Sequence, residues 1–175
     1  FSKAEGELGI KRILKKNQFI ILRTSWVIGP LGNNFLLKML SLHKNSPTIK
    51  VIADQVGAPT DTNSLSLVCW KIIEKFSNYS MINANTLHWS TSGVTTWYEL
   101  AKSIGEISKK IGLLDKTAEV VPIKTSDYKS KAKRPKYSVL ECHDTSKLID
   151  LPLINWRDSV HEILKEILTI KNKLD

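Results

Sequence analysis

Phe19-Ile20-Ile21-Leu22-Arg23-Thr24-Ser25-Trp26 joins a continuous apolar run to a polar end closed by an aromatic residue. Four consecutive apolar residues without alternation suit a strand buried on both faces, as in a parallel sheet. The segment before it, 3–16, sets Ala4, Leu8, Ile13 and Leu14 on one side of a helix, with Lys11, Arg12, Lys15 and Lys16 on the other. Helix followed by buried strand reads as the last part of a β/α repeat, so the expected class is α/β. In open α/β sheets ligands bind beyond the carboxyl ends of the strands, which makes Arg23–Trp26 a candidate binding segment. Trp26 offers a flat face for a sugar or a base; a core tryptophan closing a strand would look the same.

Working outward, Gly29-Pro30-Leu31-Gly32 breaks the chain. Asn33 is placed to cap a helix over 35–43. A short strand is expected at 49–52, then the polar loop Asp54-Gln55-Val56-Gly57-Ala58-Pro59-Thr60. A turn explains Gly57 and Pro59 but not Asp54 and Gln55. Leu65, Val68, Cys69, Ile72, Ile73 and Phe76 recur at helical spacing, and 86–90 reads as a strand. Thr96-Trp97-Tyr98-Glu99 has the capping-box form, a hydroxyl followed three residues later by Glu. The helix that it opens carries Trp97, Leu100, Ala101, Ile104, Ile107 and Ile111 on one face and ends at Gly112. A strand at 119–123, a basic loop at 124–136, a short helix from Asp144 through Leu148 and a last helix after Trp156 complete the pass. That last helix carries Val160, Ile163, Leu164, Ile167 and Leu168 on its face. No internal repeat or low-complexity tract interrupts this order.

The 175 residues are 42% hydrophobic and 25% charged, ordinary globular composition in a chain long enough for a core. No apolar stretch approaches the roughly 20 residues that a membrane helix needs, and no signal-peptide pattern is visible, so no membrane partner is expected. The chain opens on Phe1, inside what reads as an uncapped helix, and further sequence upstream is expected. Cys69 and Cys142 match no metal or redox spacing. Cys69, on an apolar helix face, reads as a small buried hydrophobe, in keeping with a reducing, cytoplasmic setting. His43, His88, His143 and His161 form no helical metal pair.

The net charge of +9 raises the question of nucleic acid. Much of the excess lies as lysine on helix exteriors, including Lys109, Lys110, Lys171 and Lys173, and no zinc-finger or aromatic RNA-binding signature accompanies it. Solvated faces are the plainer reading, and no nucleic-acid partner is expected. An anionic ligand such as a sugar diphosphate would also suit a locally basic cleft. Asn33-Asn34 opens a helix, where free N–H groups favour anions; capping explains one of the two amides. Arg134, beside Pro135, offers a planar fork of donors that matches a diphosphate, although a surface arginine with no such role fits equally.

Taken in order, Ser-Lys-Ala-Glu-Gly-Glu (2–7), Leu-Arg-Thr-Ser-Trp-Val (22–27), Gly-Asn-Asn-Phe (32–35), Asp-Gln-Val-Gly-Ala-Pro-Thr (54–60), Ser-Gly-Val-Thr-Thr-Trp-Tyr (92–98), Arg-Pro (134–135) and Trp156 resemble the dTDP-4-dehydrorhamnose reductases of the extended short-chain dehydrogenase/reductase superfamily. The likeness runs over essentially the whole chain. It implies the C-terminal part of an NAD(P)-binding Rossmann-type doubly wound fold plus a smaller mixed α/β substrate-binding domain. Residues 1–30 would end the Rossmann-type part. Residues 31–175 would form mainly the substrate-binding domain, with some segments returning to the Rossmann part.

The implied reaction is hydride transfer from NADPH or NADH to the C4 carbonyl of dTDP-4-dehydro-L-rhamnose. Charge left on the carbonyl oxygen must be met by a proton from a positioned acid, in this family a Tyr in a Tyr-x-x-x-Lys pair. Lys3 matches that lysine, whose charge would lower the tyrosine pKa and which would bind the nicotinamide ribose; the tyrosine itself would lie upstream of Phe1. No Gly-x-Gly-x-x-Gly occurs among the eight glycines, so the chain alone is expected to be inactive. By the same resemblance Trp26 would contact the deoxysugar, and Asn34, Gln55 and Arg134 the nucleotide diphosphate. Some relatives use magnesium at a subunit interface; no matching carboxylate cluster can be named here, and a homodimer stays open. The alternatives are a non-catalytic relative, such as the regulatory subunit of methionine adenosyltransferase, and another sugar-nucleotide reductase or epimerase.

Overall fold

The computed structural model describes residues 2–78, 85–129, 132 and 134–173. Its elements are α1 (Ser2–Ile13), β1 (Ile21–Thr24), β2 (Val27–Ile28), α2 (Phe35–Asn45), β3 (Thr48–Ile52), β4 (Val56–Gly57), β5 (Thr60–Asp61), α3 (Thr62–Asn78), β6 (Thr86–Trp89), β7 (Thr95–Thr96), α4 (Trp97–Lys110), β8 (Glu119–Ile123), α5 (His143–Ile149) and α6 (Trp156–Asn172). Single 3₁₀ turns occupy Lys16–Gln18 and Thr125–Asp127. Strands pair in twos: β1 with β6, β2 with β5 and β3 with β8 run parallel, and β4 with β7 antiparallel. The mixed α/β class read from the sequence is the class observed.

Two apolar cores organise these elements. The larger gathers α2, α4 and α6 against β3, with Leu36, Leu100, Ile104 and Leu164 fully buried. Each such side chain contributes about 1.5–3 kcal/mol by leaving water. Within it His43 is 2% exposed, and its Nε2 donates to the Ala101 carbonyl at 3.0 Å. The ring lies so close to α4 that a Cβ on Gly105 would stand 2.6 Å from it. Glycine in mid-helix costs about 1 kcal/mol relative to alanine; here it makes room for the histidine. The smaller core joins Val68 and Ile72 of α3, Leu87 and Trp89 of β6 and Ile149 of α5, with Leu22 of β1 packed against it.

Several boundaries and environments differ from the sequence reading. The strand expected at 19–22 runs over Ile21–Thr24, because the ladder starts where the Ile21 N–H donates to the Asn85 carbonyl. It is not buried on both faces: Ile21 and Leu22 are half-buried, Arg23 and Thr24 exposed, and β6 is its one ladder partner among the described residues. Helix α1 stops at Ile13 rather than at residue 16 and buries no residue; Ile13 is 81% exposed. A bidentate pair between Arg23 and Glu7, at 2.8 and 2.6 Å, ties α1 to β1, and the arginine holds the Glu7 carboxyl below its usual range.

The cap of α2 is Asn34 and not Asn33: its backbone is extended and its Oδ1 accepts the Leu37 N–H. Cys142 occupies the cap position of α5, with Asp144 in the first turn. Trp156 opens α6 instead of preceding it, and Asn155 is the cap. Cys69 is exposed, since Val68 and Ile72 take the core-facing side of α3. Of the basic loop, residues 130, 131 and 133 lie outside the described residues.

Candidate ligand-binding site

Trp26 follows β1 with a φ of 47°, the left-handed region that a bulky residue enters only when its surroundings impose it, at about 1–3 kcal/mol. Three neighbours impose it. Its carbonyl accepts the Thr60 N–H at 3.2 Å. Its ring lies against Gly57, where a Cβ would stand 2.6 Å from the indole. The ring also stacks on Trp97, with centroids 3.7 Å apart and planes 16° from parallel. Trp97 is the first residue of α4, where the expected capping box is formed: Thr96 Oγ1 accepts the Glu99 N–H, and Glu99 accepts the Thr96 N–H. Phe35 tilts against the same indole at 4.6 Å.

A chain of hydrogen bonds leads away from this pair. Trp97 Nε1 donates to Gln55 Oε1 at 3.2 Å, and Gln55 Nε2 donates to Thr125 Oγ1 at 3.1 Å. The Thr125 hydroxyl and N–H both donate to Asp54 Oδ1, at 2.6 and 2.9 Å. Donation from Thr125, chiefly from its hydroxyl, holds the Asp54 carboxyl below its usual range, and the charge of Lys136 works in the same direction. The chain draws three separate segments together, the β3–β4 loop, the start of α4 and the turn at 125–127.

Beside it opens a cavity of ≈ 1170 Å³. Lys38, Lys50, Arg134 and Lys136 line it, together with Gln55, Thr125 and Tyr128 and the apolar Phe35, Met39, Val51 and Trp97. No Asp or Glu is among its described lining residues. Four cations with one nearby carboxylate, Asp54, leave a net positive wall that attracts anions, and the arginine among them can bond two oxygens of one phosphate at once. The apolar remainder is that of a small-molecule site, and the volume is somewhat above the usual range of about 300–1,000 Å³ for one.

The five residues singled out in the sequence fall into three groups. Gln55 and Arg134 both line the cavity. Trp26 does not, but stacks on Trp97, which does. Lys3 is exposed on α1 and Asn34 caps α2, and neither lines the cavity. Besides its cap bond, the Asn34 amide donates to the Gly29 and Leu31 carbonyls at 3.0 and 3.1 Å, so it shapes the turn before α2.

Sequence reasoning passed over Trp97, Thr125, Lys38, Lys50 and Lys136. Trp97 read as one apolar residue of a helix face; its place in the first turn, where a helix meets a loop, was the available signal. No three His, Cys, Asp or Glu side chains converge on a metal-sized site among the described residues.

A family model described as the RmlD substrate binding domain matches residues 1–169. The chain belongs to that family. It is 33% identical over 162 residues to a dTDP-4-dehydrorhamnose reductase of Aggregatibacter actinomycetemcomitans, covering 93% of this chain and 54% of the relative. It is 37% identical over 165 residues to the spore coat polysaccharide biosynthesis protein SpsK of Bacillus subtilis, covering 94% and 53%. Among solved structures, a dTDP-4-dehydrorhamnose reductase from Bacillus anthracis in complex with NADP superposes with a TM-score of 0.76 at 31% identity, over 94% of this chain and 53% of that one. The chain therefore spans about half the length of the relatives that it matches. Its Rossmann-like α/β fold is that of this RmlD-type family.

Proposed function

We propose that this chain is the substrate-binding part of an NAD(P)H-dependent dTDP-4-dehydrorhamnose reductase, which converts dTDP-4-dehydro-L-rhamnose to dTDP-L-rhamnose. The observation that carries the proposal is the basic cavity walled by Gln55, Trp97 and Arg134 in a chain of the RmlD substrate binding domain family. The diphosphate of a dTDP-sugar would meet Arg134 and the three lysines, with Arg134 supplying the bidentate contact. The apolar wall would take the less polar parts of the nucleotide. The deoxysugar would extend toward the Trp97–Trp26 pair. Asn34 caps α2 and bonds the turn before it, outside the cavity lining.

Residues 1–30, of which Ile20 and Leu22 pack on the smaller core, would belong with the dinucleotide-binding part together with α3, β6 and α5, and the helices α2, α4 and α6 of the larger core with the substrate-binding domain. Of a dinucleotide site this chain offers Lys3, and a glycine-rich phosphate loop is not among its residues. A bound nicotinamide cofactor, NADPH or NADH, supplies the hydride. Lys3, one helical turn from the position of the family's tyrosine, would hold that phenol ready to give its proton by favouring the anionic form. The partners proposed are the sugar nucleotide and a second copy of the protein, in the cytoplasm, with neither nucleic acid nor membrane. No helix among the described residues is long and apolar enough to cross a membrane.

The higher identity to a protein named for spore coat polysaccharide biosynthesis favours one second reading, reduction of a different nucleotide-activated keto sugar. NADPH oxidation by the full-length polypeptide, followed by its absorbance on the order of minutes with dTDP-4-dehydro-L-rhamnose, tests both at ordinary enzyme turnover. Turnover with that sugar supports the reductase; turnover only with another nucleotide keto sugar supports the second reading. Absence of turnover with either sinks the proposal.

A further inference from the structure

We infer that Trp97 is a positioning residue for the bound sugar nucleotide, acting on the ligand through Gln55 on one side and Trp26 on the other. The inference rests on the substrate reading above and gives a role to a residue that lay within the 92–98 motif without one. Among the described residues, Trp97 is the one side chain that both lines the cavity and stacks on Trp26. Trp26 is held in a left-handed backbone conformation, and loss of the Trp97 ring would remove the stacked aromatic face that presses on it there. The capping box fixes the start of α4 directly beneath the indole, so the ring has a rigid base.

The indole N–H works in the other direction. It can only donate, and so it turns the Gln55 amide with Oε1 toward Trp97. Nε2 then faces Thr125 Oγ1, whose own hydrogen is given to the Asp54 carboxylate. Every bond in the chain has a single direction. A primary amide carries two N–H groups, and one of those on Gln55 is used by Thr125. The orientation leaves a second N–H on this 4% exposed side chain, and Gln55 lines a cavity whose described charged lining residues are all cationic. A donor there suits a phosphate oxygen; an amide turned over would present an acceptor. Trp97 thus keeps the Gln55 amide turned to donate while it holds the aromatic pair in register.

The test uses the full-length protein with Trp97→Ala and Trp97→Phe. Phenylalanine keeps a ring for Trp26 and loses the N–H. Loss of one hydrogen bond predicts a rise in KM for dTDP-4-dehydro-L-rhamnose of about threefold to tenfold in Trp97→Phe. Loss of the stack as well predicts a rise of tenfold or more, on the order of a hundredfold at most, in Trp97→Ala. The Kd for NADPH should stay at the wild-type value in both. Phenylalanine therefore restores part of what alanine removes, in the substrate parameter alone.

An unchanged KM in either variant, or parallel losses in KM, NADPH affinity and melting temperature, would overturn the inference. If Trp97→Ala does not fold, the phenylalanine variant decides on the same criterion. Titration with dTDP keeps the two proposals apart. A wild-type protein that binds dTDP and turns nothing over sinks the reductase reading. Trp97 is then judged on dTDP affinity, which must weaken about threefold or more in Trp97→Phe.

Discussion

Asp54 is the anchor of the hydrogen-bond chain that ends at Trp97, and its charge state is the part most open to control. Its carboxyl is held below the usual range, first by the Thr125 hydroxyl. A depressed folded pKa contributes stability that is present above the unfolded value, about 3.9 for Asp, and is lost as pH falls through the lower folded value. Denaturant midpoints of wild type and Asp54→Asn should therefore differ most above pH ~4 and converge toward pH ~2; a constant gap across that range would contradict the anchoring role. At this scale the sequence was partly legible. Asp54 and Gln55 stood out because a turn does not need them, and Arg134 because its planar fork of donors matches a diphosphate. Trp97 and Thr125 did not, because one looks like core and the other like any loop hydroxyl until the 54–55 and 125–127 segments meet, about 70 residues apart in sequence. Asn34 stands at a helix start, as its sequence context suggests, but its side chain serves the turn around Gly32, whose φ is 79°.

Helix α4 links the cavity to the core, since Trp97 stands at its first position and Leu100, Ala101 and Ile104 are buried behind it. Its limits were readable because a capping box, a strong apolar stripe and Gly112 mark start, face and end; β8, at Glu119–Ile123, was equally plain. Other limits depended on partners that no local pattern shows. The start of β1 is set by Asn85, over 60 residues away, and Cys69 falls outside the core because Val68 and Ile72 define the buried side of α3. The cap of α4 gives the prediction for this scale. Thr96→Ala removes the hydroxyl that accepts the Glu99 N–H and should lower unfolding free energy by about 0.5–2 kcal/mol. It should shift the urea midpoint with an unchanged denaturant slope, the sign of a stability change without a change of compactness. A midpoint equal to wild type would mean that the box contributes nothing beyond what water supplies.

The whole molecule is asymmetric. The larger core, under the basic cavity, is closed by three helices, whereas α3 on the smaller core, and α1, turn much apolar surface outward. Trp70 is 67% exposed, Ile73 52% and Leu67 45%, all on α3, and on α1 Ile13 is 81% exposed and Leu8 44%. Contiguous apolar surface and a strand edge without a second neighbour favour association between copies. The basic charge of +9 opposes this through repulsion between copies, but that repulsion weakens beyond a Debye length of ~10 Å at 0.1 M salt, while apolar contact does not. Association of residues 1–175 expressed alone should therefore strengthen as salt is raised. Such a sample should enhance the fluorescence of an apolar dye and elute as larger species in sizing chromatography. Trp70→Ser with Ile73→Ser should lower both signals, because the substitutions remove apolar area without touching the buried Val68 and Ile72. A monodisperse, cooperatively melting sample that binds no dye at high salt would show instead that the outward face of α3 is tolerated by solvent, and that the smaller core is complete with the elements that this chain brings to it.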